Sequence, residues 1–257
     1  MAKTANDWLN ELVNGKNQVF PHMPRSDVIQ GLRDRINDPS KIDQDRTSLC
    51  GAAALMYCLA KDKPADYARY VVELYHTGKG KIGKLKVEPG SDCRKYKPGK
   101  TKKIDPVDWI ALASLRDSEN AILDYDSPDT DLGGITMPGD LFDWFKAAGF
   151  TGVTEETNLV FTKGKGTLEK ANKLYLQHKN VCLFVNAKVF EGPKAKLMSA
   201  FPNHWVVMSS KVTITKKEVD LTVYTWGSDK FRLIMGAKKM TISAFCNHFY
   251  GYISAKG

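Results

Sequence analysis

The chain has 257 residues, of which 42% are hydrophobic, and a formal net charge of +9 at pH 7. This length and composition are typical of a globular protein with one large domain or two lobes, and they exclude a disordered chain. A membrane span needs about 18 consecutive apolar residues, and no apolar run in this sequence approaches that length. The N-terminus lacks the apolar segment of a signal peptide. We therefore expect synthesis in the cytosol, with export by a dedicated, signal-independent secretion system as an open alternative.

The cysteine pattern argues against disulfides and structural metal. Five cysteines are scattered without a Cys-x-x-Cys pair, at Cys50, Cys58, Cys93, Cys182 and Cys246. Neither a disulfide framework nor a structural zinc site uses such a pattern. The acidic run at 124–131 lacks the ligand order of a calcium loop, so we predict a solvated turn there. We expect no metal and no cofactor.

The positive charge is concentrated in one basic segment, residues 78–103. It holds ten Lys and Arg residues against Glu88 and Asp92, a net charge of +8 (10 − 2). Its glycines and prolines predict an exposed loop with one short strand. Leu85 stands where a phosphate-binding loop needs Ser or Thr, and Tyr96 alone makes no platform for stacking bases. Nucleotide and nucleic-acid binding are therefore disfavoured.

Helical periodicity dominates the chain up to about residue 148. Apolar residues recur three and four positions apart, and Pro, Ser or Thr at the starts and Gly beyond the ends mark the boundaries. The predicted helices cover 4–14, 26–39, 50–59, 64–75, 105–117 and 138–148.

β-branched and aromatic residues dominate after Gly149. A helix at 168–177 precedes predicted strands at 181–187, 204–208, 219–226 and 231–235, a short helix at 243–247 and a last strand at 250–254. A turn at 215–218 predicts a hairpin. Helices followed by a mostly antiparallel sheet indicate an α+β fold: a single domain with a helical lobe at 1–148, a β-rich lobe at 149–257 and a cleft where the lobes meet.

Cys50 has the sequence context of a nucleophile placed at the start of a helix. It follows a polar lead-in and begins an Ala/Leu/Met run, which places it in the first turn of a predicted helix. Backbone N–H groups without helical partners and the helix dipole favour a thiolate there. The side-chain amide of Gln44 can join the Cys50 N–H in holding an oxyanion. Since free cysteines are often buried, a core role for Cys50 stays the alternative.

Five residues fit the pattern Gln-x5-Cys-Gly-x-Ala-x-Leu, namely Gln44, Cys50, Gly51, Ala53 and Leu55. This pattern resembles the nucleophile segment of papain-like cysteine peptidases and is most similar to their bacterial C39-like branch. The resemblance implies a papain-like fold with an active-site cleft, Cys50 as nucleophile and Gln44 in the oxyanion hole. Thr47 and Gly51 replace the second Cys and the aromatic residue of the plant and lysosomal enzymes, so the resemblance does not extend to that branch.

His204 is the candidate general base. It begins the apolar run His-Trp-Val-Val-Met and follows Cys50 by 154 residues (204 − 50), a separation typical of papain-like enzymes. The contexts of the other four histidines are compatible with surface positions: His22, His76, His178 and His248. A structural role for a partly buried His204 stays the alternative.

Three side chains compete to orient the imidazole of His204. Asp220 has the separation from His204 that the C39-like pattern shows. A hairpin that turns at 215–218 instead places residues 225–229 opposite His204, which favours Thr225, Asp229 or a backbone carbonyl nearby. Residues 224–227, Tyr-Thr-Trp-Gly, also resemble the Asn-Ser-Trp-Gly of the papain group, with Tyr224 in place of the orienting Asn.

These features predict a cysteine peptidase or amidase that acts through an acyl-enzyme on Cys50. The expected substrate is a protein or a cell-wall peptide, and the basic segment would line the cleft and favour anionic substrates. The chain also resembles secreted bacterial toxin domains, which implies a cognate inhibitor or immunity protein as a partner. Deamidation, transglutaminase-like acyl transfer and a non-enzymatic basic nucleic-acid-binding protein are the alternatives.

Overall fold

The structure is a computed structural model that describes residues 2–45, 47–98, 104–119, 135–190, 201–232, 234–235 and 238–257. The acidic run at 124–131 and residues 99–103 of the basic segment lie outside the described residues. The chain forms two compact units, Met1–Thr136 with Ala147–Gly149 and Met137–Lys146 with Phe150–Gly257. Helices together with a six-stranded antiparallel sheet confirm the α+β class.

The described ranges contain neither a membrane-spanning helix nor a metal-binding cluster. No helix there combines the length and the apolar character that crossing a bilayer requires. Within the same ranges, no group of three or more His, Cys, Asp and Glu side chains is arranged to hold a metal ion.

The first unit opens with helices α1 (Ala5–Asn14), α2 (Arg25–Asn37), α3 (Cys50–Asp62) and α4 (Pro64–Thr77). A capping box begins α1, in which Thr4 and Asp7 each accept the other's backbone N–H. Helix α4 begins at Pro64, and the residue directly after its end, Gly78, has a left-handed φ of 74°. These boundaries confirm the predicted helices to within about one turn.

Helix α3 is buried on all sides from Cys50 to Ala60. An apolar residue or a small one occupies nearly every position, so no face of this helix has to meet water. Cys50 is the first residue of the helix, as the sequence predicted.

The described part of the basic segment is a β-hairpin followed by a short helix, not a loop with one strand. The elements are β1 (Gly80–Ile82), β2 (Leu85–Val87) and α5 (Ser91–Lys95). Aliphatic side chains of the hairpin are buried, and Lys81 stands directly opposite Lys86 on the exposed face. Alternation of Lys with aliphatic residues is the pattern of half-buried strands, and the glycines that suggested a loop include Gly83, whose φ is 58° at the turn.

The helix predicted at 105–117 changes its winding midway. It comprises α6 (Pro106–Asp108), a π-helical turn (Trp109–Ala113) and α7 (Ser114–Glu119). The hydroxyl of Tyr70 donates a hydrogen bond to the Ala111 carbonyl at 2.9 Å, which satisfies a backbone group within the wider turn.

The second unit contains a six-stranded sheet and the helices that flank it. Its elements are α8 (Pro138–Ala147, whose last residue belongs to the first unit), β3 (Thr151–Thr157), α9 (Lys165–Leu176), β4 (Asn180–Val185), β5 (His204–Met208), β6 (Thr213–Ile214), β7 (Val219–Asp220), β8 (Thr222–Thr225), β9 (Ser228–Arg232), β10 (Ile234–Met235), β11 (Lys238–Lys239), α10 (Ile242–Cys246) and β12 (Phe249–Lys256).

The main sheet has the strand order β3-β12-β4-β5-β8-β9, with every neighbouring pair antiparallel. One apolar cluster of this unit joins β4, β5 and β8 to α9 and α10. Strand β3 was not predicted, because its Thr-Gly-Val-Thr-Glu-Glu-Thr sequence is polar. It is an edge strand with mostly exposed side chains, so burial imposes little apolar pattern on it.

We predict that Gly251→Ala destabilises the second unit strongly. Gly251 has a φ of 121°, and an added Cβ would lie 2.0 Å from the Glu156 carbonyl oxygen on the neighbouring strand. Strain and overlap together should lower the free energy of unfolding by about 3 kcal/mol or more in urea denaturation. Gly139→Ala is the matched control, because its Cβ would meet nothing within 4 Å. Equal stability of the two variants would contradict this account.

Candidate functional site

Cys50 lies at the N-terminus of α3 and is 3% exposed. The preceding residue, Leu49, offers no side-chain cap to the helix. The first turn therefore presents backbone N–H groups beside the cysteine. The side chain of Thr136 packs against Gly51 so closely that a Cβ on Gly51 would lie 2.4 Å from Thr136 Oγ1. The start of α3 is thus enclosed and has room for glycine alone after Cys50.

Gln44 is 5% exposed and lies in the same unit as Cys50. Its carbonyl oxygen accepts hydrogen bonds from the backbone N–H of Thr47 at 3.2 Å and from the Thr47 hydroxyl at 2.5 Å. Two residues before Thr47, Asp45 has a left-handed φ of 51°, and its N–H donates to the carboxylate of Asp43. Local hydrogen bonds thus hold the turn that carries Gln44.

A buried ion pair anchors this turn. Arg35 of α2 donates two hydrogen bonds to Asp108 of α6, with Nε to Oδ1 at 2.8 Å and Nη2 to Oδ2 at 2.5 Å. The backbone N–H of Asp43 donates to the same Asp108 carboxylate at 3.0 Å. Asp108 therefore connects two helices to the residue that directly precedes Gln44.

Burial and the ion pair act in opposite directions on both charges. Burial raises the pKa of Asp108, and Arg35 opposes this rise. Burial alone would lower the pKa of Arg35, but the adjacent Asp108 carboxylate raises it above its ordinary value. Each charge is stabilised in the interior chiefly by the other, and Asp105 lies 3.6 Å from Arg35 Nη2 as a second, partly exposed carboxylate.

Sequence reasoning missed this pair, although a signal was present. Arg35 continues the apolar stripe of α2, seven residues after Val28 and three after Leu32, so the helix has to bury it. A charged residue on a buried stripe indicates a buried partner of opposite charge.

His204 is the first residue of β5 and is 4% exposed. Its Nε2 lies 2.8 Å from the Thr225 hydroxyl. The imidazole stacks on the indole of Trp226, with ring centroids 4.7 Å apart and an angle of 15° between the planes. Phe190 meets the imidazole edge-on at 6.1 Å. Thr225 and the two aromatic rings together fix the orientation of the imidazole.

Burial lowers the pKa of His204 from 6.5 to about 4. The ring is therefore neutral at physiological pH, with one nitrogen able to accept a proton. Among the described residues, the groups that contact the ring through a hydrogen bond or ring packing are a hydroxyl and two aromatic rings, and these carry no charge.

A tight hairpin positions both Thr225 and Trp226. Thr225 pairs with Ser228, and the two residues between them, Trp226 and Gly227, have φ angles of 45° and 71°. Positive φ at both positions defines a type I′ turn, which suits glycine but strains tryptophan. This strained position, which sequence reasoning missed, places the indole against His204; its sequence signal is Trp-Gly between two strand patterns.

The predicted hairpin at 215–218 is confirmed by the pairing of β6 with β7. Strand β5 pairs with β8 through Val207 opposite Tyr224, and this register continued places His204 opposite the Trp226–Gly227 turn. Asp220 instead lies opposite Thr213 and forms an ion pair with Arg232. The backbone carbonyl of Asp229 accepts a hydrogen bond from Ser209. Among the three candidates, Thr225 is the one hydrogen-bonded to His204.

The predicted site residues thus divide between the two units. Gln44 and Cys50 lie in the first unit, and His204 with Thr225 lies in the second. The catalytic pairing of Cys50 with His204 stays a prediction. Comparisons of the chain with protein-family models, curated proteins and solved structures found no match.

We predict that burial of His204 makes the protein sensitive to acid. Between pH 6.5 and 4 the imidazole binds a proton in the unfolded chain but not in the folded one, so stability falls as pH decreases through this window. The contribution of one such proton to the slope is at most about 1.4 kcal/mol per pH unit. His204→Gln should flatten the pH dependence of the free energy of unfolding, measured with urea at several pH values.

His22→Gln is the control for this measurement, because His22 is exposed. It should leave the slope unchanged. A slope that is equal in wild type and His204→Gln would show that His204 does not resist protonation in the fold.

We predict that Asp108→Asn destabilises the first unit by about 3 kcal/mol, because the buried Arg35 charge then keeps only the partly exposed Asp105 carboxylate, 3.6 Å away, as a counter-charge. Asp220→Asn is the matched control, since the Asp220–Arg232 pair has similar two-point geometry but lies in solvent. It should have a small effect. Urea denaturation of both variants measures the difference. Equal midpoints would mean that the buried pair does not hold the first unit together.

Proposed function

We propose that this protein is a cysteine hydrolase with a papain-like fold, in which Cys50 is the nucleophile and His204 the general base and acid. The observation that carries the proposal is the imidazole of His204, which is neutral, buried and held at Nε2 by Thr225. When Nε2 of such a ring carries the proton, Nδ1 is the nitrogen that accepts a proton from a thiol. The helix N-terminus at Cys50 supports the second half of the pair.

The first chemical step moves one proton and one electron pair. In this proposal the Nε2–H of His204 donates a hydrogen bond to the Thr225 hydroxyl, and Nδ1 of His204 takes the thiol proton of Cys50. The sulfur then attacks an amide carbonyl carbon, and the carbonyl electrons move onto oxygen. The Cys50 N–H and the Gln44 side-chain amide donate hydrogen bonds to this oxyanion.

The second step reverses the direction of the proton. The His204 imidazolium gives its proton to the leaving amine, the C–N bond breaks, and an acyl group stays on Cys50 as a thioester. Water, deprotonated by His204, then attacks the thioester carbon, the C–S bond breaks to release the acid, and His204 returns the proton to the Cys50 sulfur. Deamidation follows the same steps when ammonia leaves, and an acyl transferase results when an amine replaces water.

Thr225 has a specific consequence for this chemistry. The Thr225 hydroxyl orients the imidazole of His204, but unlike an aspartate it can donate or accept a hydrogen bond, and it brings no negative charge to stabilise an imidazolium. In this proposal the thiolate of Cys50 supplies that charge, so His204 is protonated only while Cys50 is ionised. Ionisation of the two residues is therefore strongly coupled.

The proposed substrate is a protein or cell-wall peptide that binds in a cleft between the helical and β-rich lobes. The exposed face of the β1–β2 hairpin supports a preference for anionic segments, because two like charges, Lys81 and Lys86, stand directly opposite one another there. Delivery as a secreted bacterial toxin, countered by an immunity protein, belongs to the same proposal.

Alkylation of thiols tests the nucleophile without knowledge of the substrate. We predict that iodoacetamide labels Cys50 faster than any other cysteine at pH 6 to 7, although Cys50 is 3% exposed. Cys246 is more exposed, but burial raises its pKa, so its thiolate is rarer. Peptide mass mapping gives the rate at each cysteine.

The pairing with His204 has its own signature. His204→Gln should slow alkylation of Cys50 at neutral pH, because the neutral imidazole that accepts the thiol proton is lost, whereas His22→Gln should change nothing. Cys50→Ala should abolish amide hydrolysis, and Gln44→Ala should lower turnover by roughly 10²–10³ without slowing alkylation much. Labelling of all cysteines at similar rates, or a Cys50 profile indifferent to His204, would refute the proposal.

A further inference from the structure

The loop between β3 and α9 exposes three consecutive apolar side chains, which we call the apolar tip. Leu159, Val160 and Phe161 are 41%, 61% and 72% exposed. Single exposed apolar residues are ordinary on protein surfaces, but three in succession, with an aromatic side chain the most exposed, are typical of a contact surface.

The apolar tip has a defined backbone. The side chain of Asn158 accepts hydrogen bonds from the N–H groups of Val160 and Phe161, both at 2.7 Å. On either side of the tip, Asn158 N–H donates to the Tyr250 carbonyl at 2.8 Å and Lys163 N–H donates to the Phe249 carbonyl at 2.7 Å. Ordering of the loop therefore costs little conformational entropy when a partner binds the tip.

Strand register places the apolar tip at the end of the sheet that carries His204. The tip is anchored to Phe249 and Tyr250, Phe249 stands opposite Val185 on β4, and Val185 stands opposite His204 on β5. Three strand spacings therefore separate β3 from β5, a distance of about 14 Å. An extended peptide covers that distance in about four residues.

Charges next to the apolar tip are mutually compensated. Lys165 pairs with Glu169 at 3.3 Å, and Lys170 pairs with Glu156 at 3.1 Å. Lys163 lies closer to the tip, two residues after Phe161, but residues 155–170 as a whole hold three lysines against three glutamates, a net charge of zero (3 − 3). These flanks therefore offer no excess of positive charge to lipid headgroups or nucleic-acid phosphates. They favour an uncharged, apolar ligand segment.

We infer that the apolar tip is a substrate-binding surface for aliphatic or aromatic side chains of a polypeptide, about four residues from the bond that is cleaved at the site of His204. This inference rests on the proposed cysteine hydrolase function and gives it a substrate class. The tip recognises the chain at a distance from the reacting bond, while His204 acts at the bond itself.

The test uses cleavage of a peptide library prepared by digestion of a bacterial proteome. Wild-type protein should cleave peptides with an apolar side chain enriched about four residues from the cut. Val160→Ser with Phe161→Ser should remove that enrichment and raise KM about tenfold on a peptide so identified, with kcat and the rate of Cys50 alkylation unchanged.

Leu176→Ser is the matched control, since Leu176 is 57% exposed at the end of α9, near the opposite end of the sheet where β4 begins. It should behave as wild type. Cleavage without the apolar preference, or a preference that survives the double substitution, overturns the inference alone. A wild-type protein with reactive Cys50 that cleaves no peptide overturns it together with the peptidase assignment. Binding of the identified peptide by Cys50→Ala protein, weakened about tenfold by the tip substitutions, gives a readout separate from catalysis.

Discussion

The first unit depends on one buried ion pair between Arg35 and Asp108. Each charge would be costly to bury alone, and each is tolerated because the other compensates it at hydrogen-bonding distance. The carboxylate also accepts the backbone N–H of Asp43, so the same interaction that joins α2 to α6 fixes the start of the turn leading to α3. The local geometry around Gln44 and Cys50 is therefore a consequence of a charge pair rather than of apolar packing alone.

Elements with strong periodicity were predictable from the sequence, because a single burial rule produces them. Helices α1 to α4 and strand β5 each place apolar residues wherever the element faces the core, and their ends follow Pro and Gly signals. Strand β3 was not predictable in this way, since an edge strand with exposed side chains needs no apolar pattern. The β1–β2 hairpin was misread because its glycines resemble loop residues, while its alternating lysines and aliphatic residues carry the opposite signal.

The sequence supplies the candidate residues and their order, and the structure adds the surroundings and orientation of one of them, His204. A Cys followed by a His at a typical separation is a property of the sequence. The choice of Thr225 over Asp220 and Asp229 required the strand register, because a difference of a few residues in the turn decides which side chain stands beside His204. Trp226 shows the same limit, since its left-handed backbone is imposed by a two-residue hairpin and contradicts its intrinsic preference.

The contact between Gly51 and Thr136 restricts how this sequence can diverge. Any side chain at position 51 would occupy the volume that Thr136 already fills, so a larger residue there requires a smaller one at 136 in the same step. A bulky aromatic side chain at position 51 is therefore sterically inaccessible by a single substitution. Positions 51 and 136, which lie 85 residues apart in the chain (136 − 51), are therefore expected to change together. Such co-variation would reflect the packing at the start of α3.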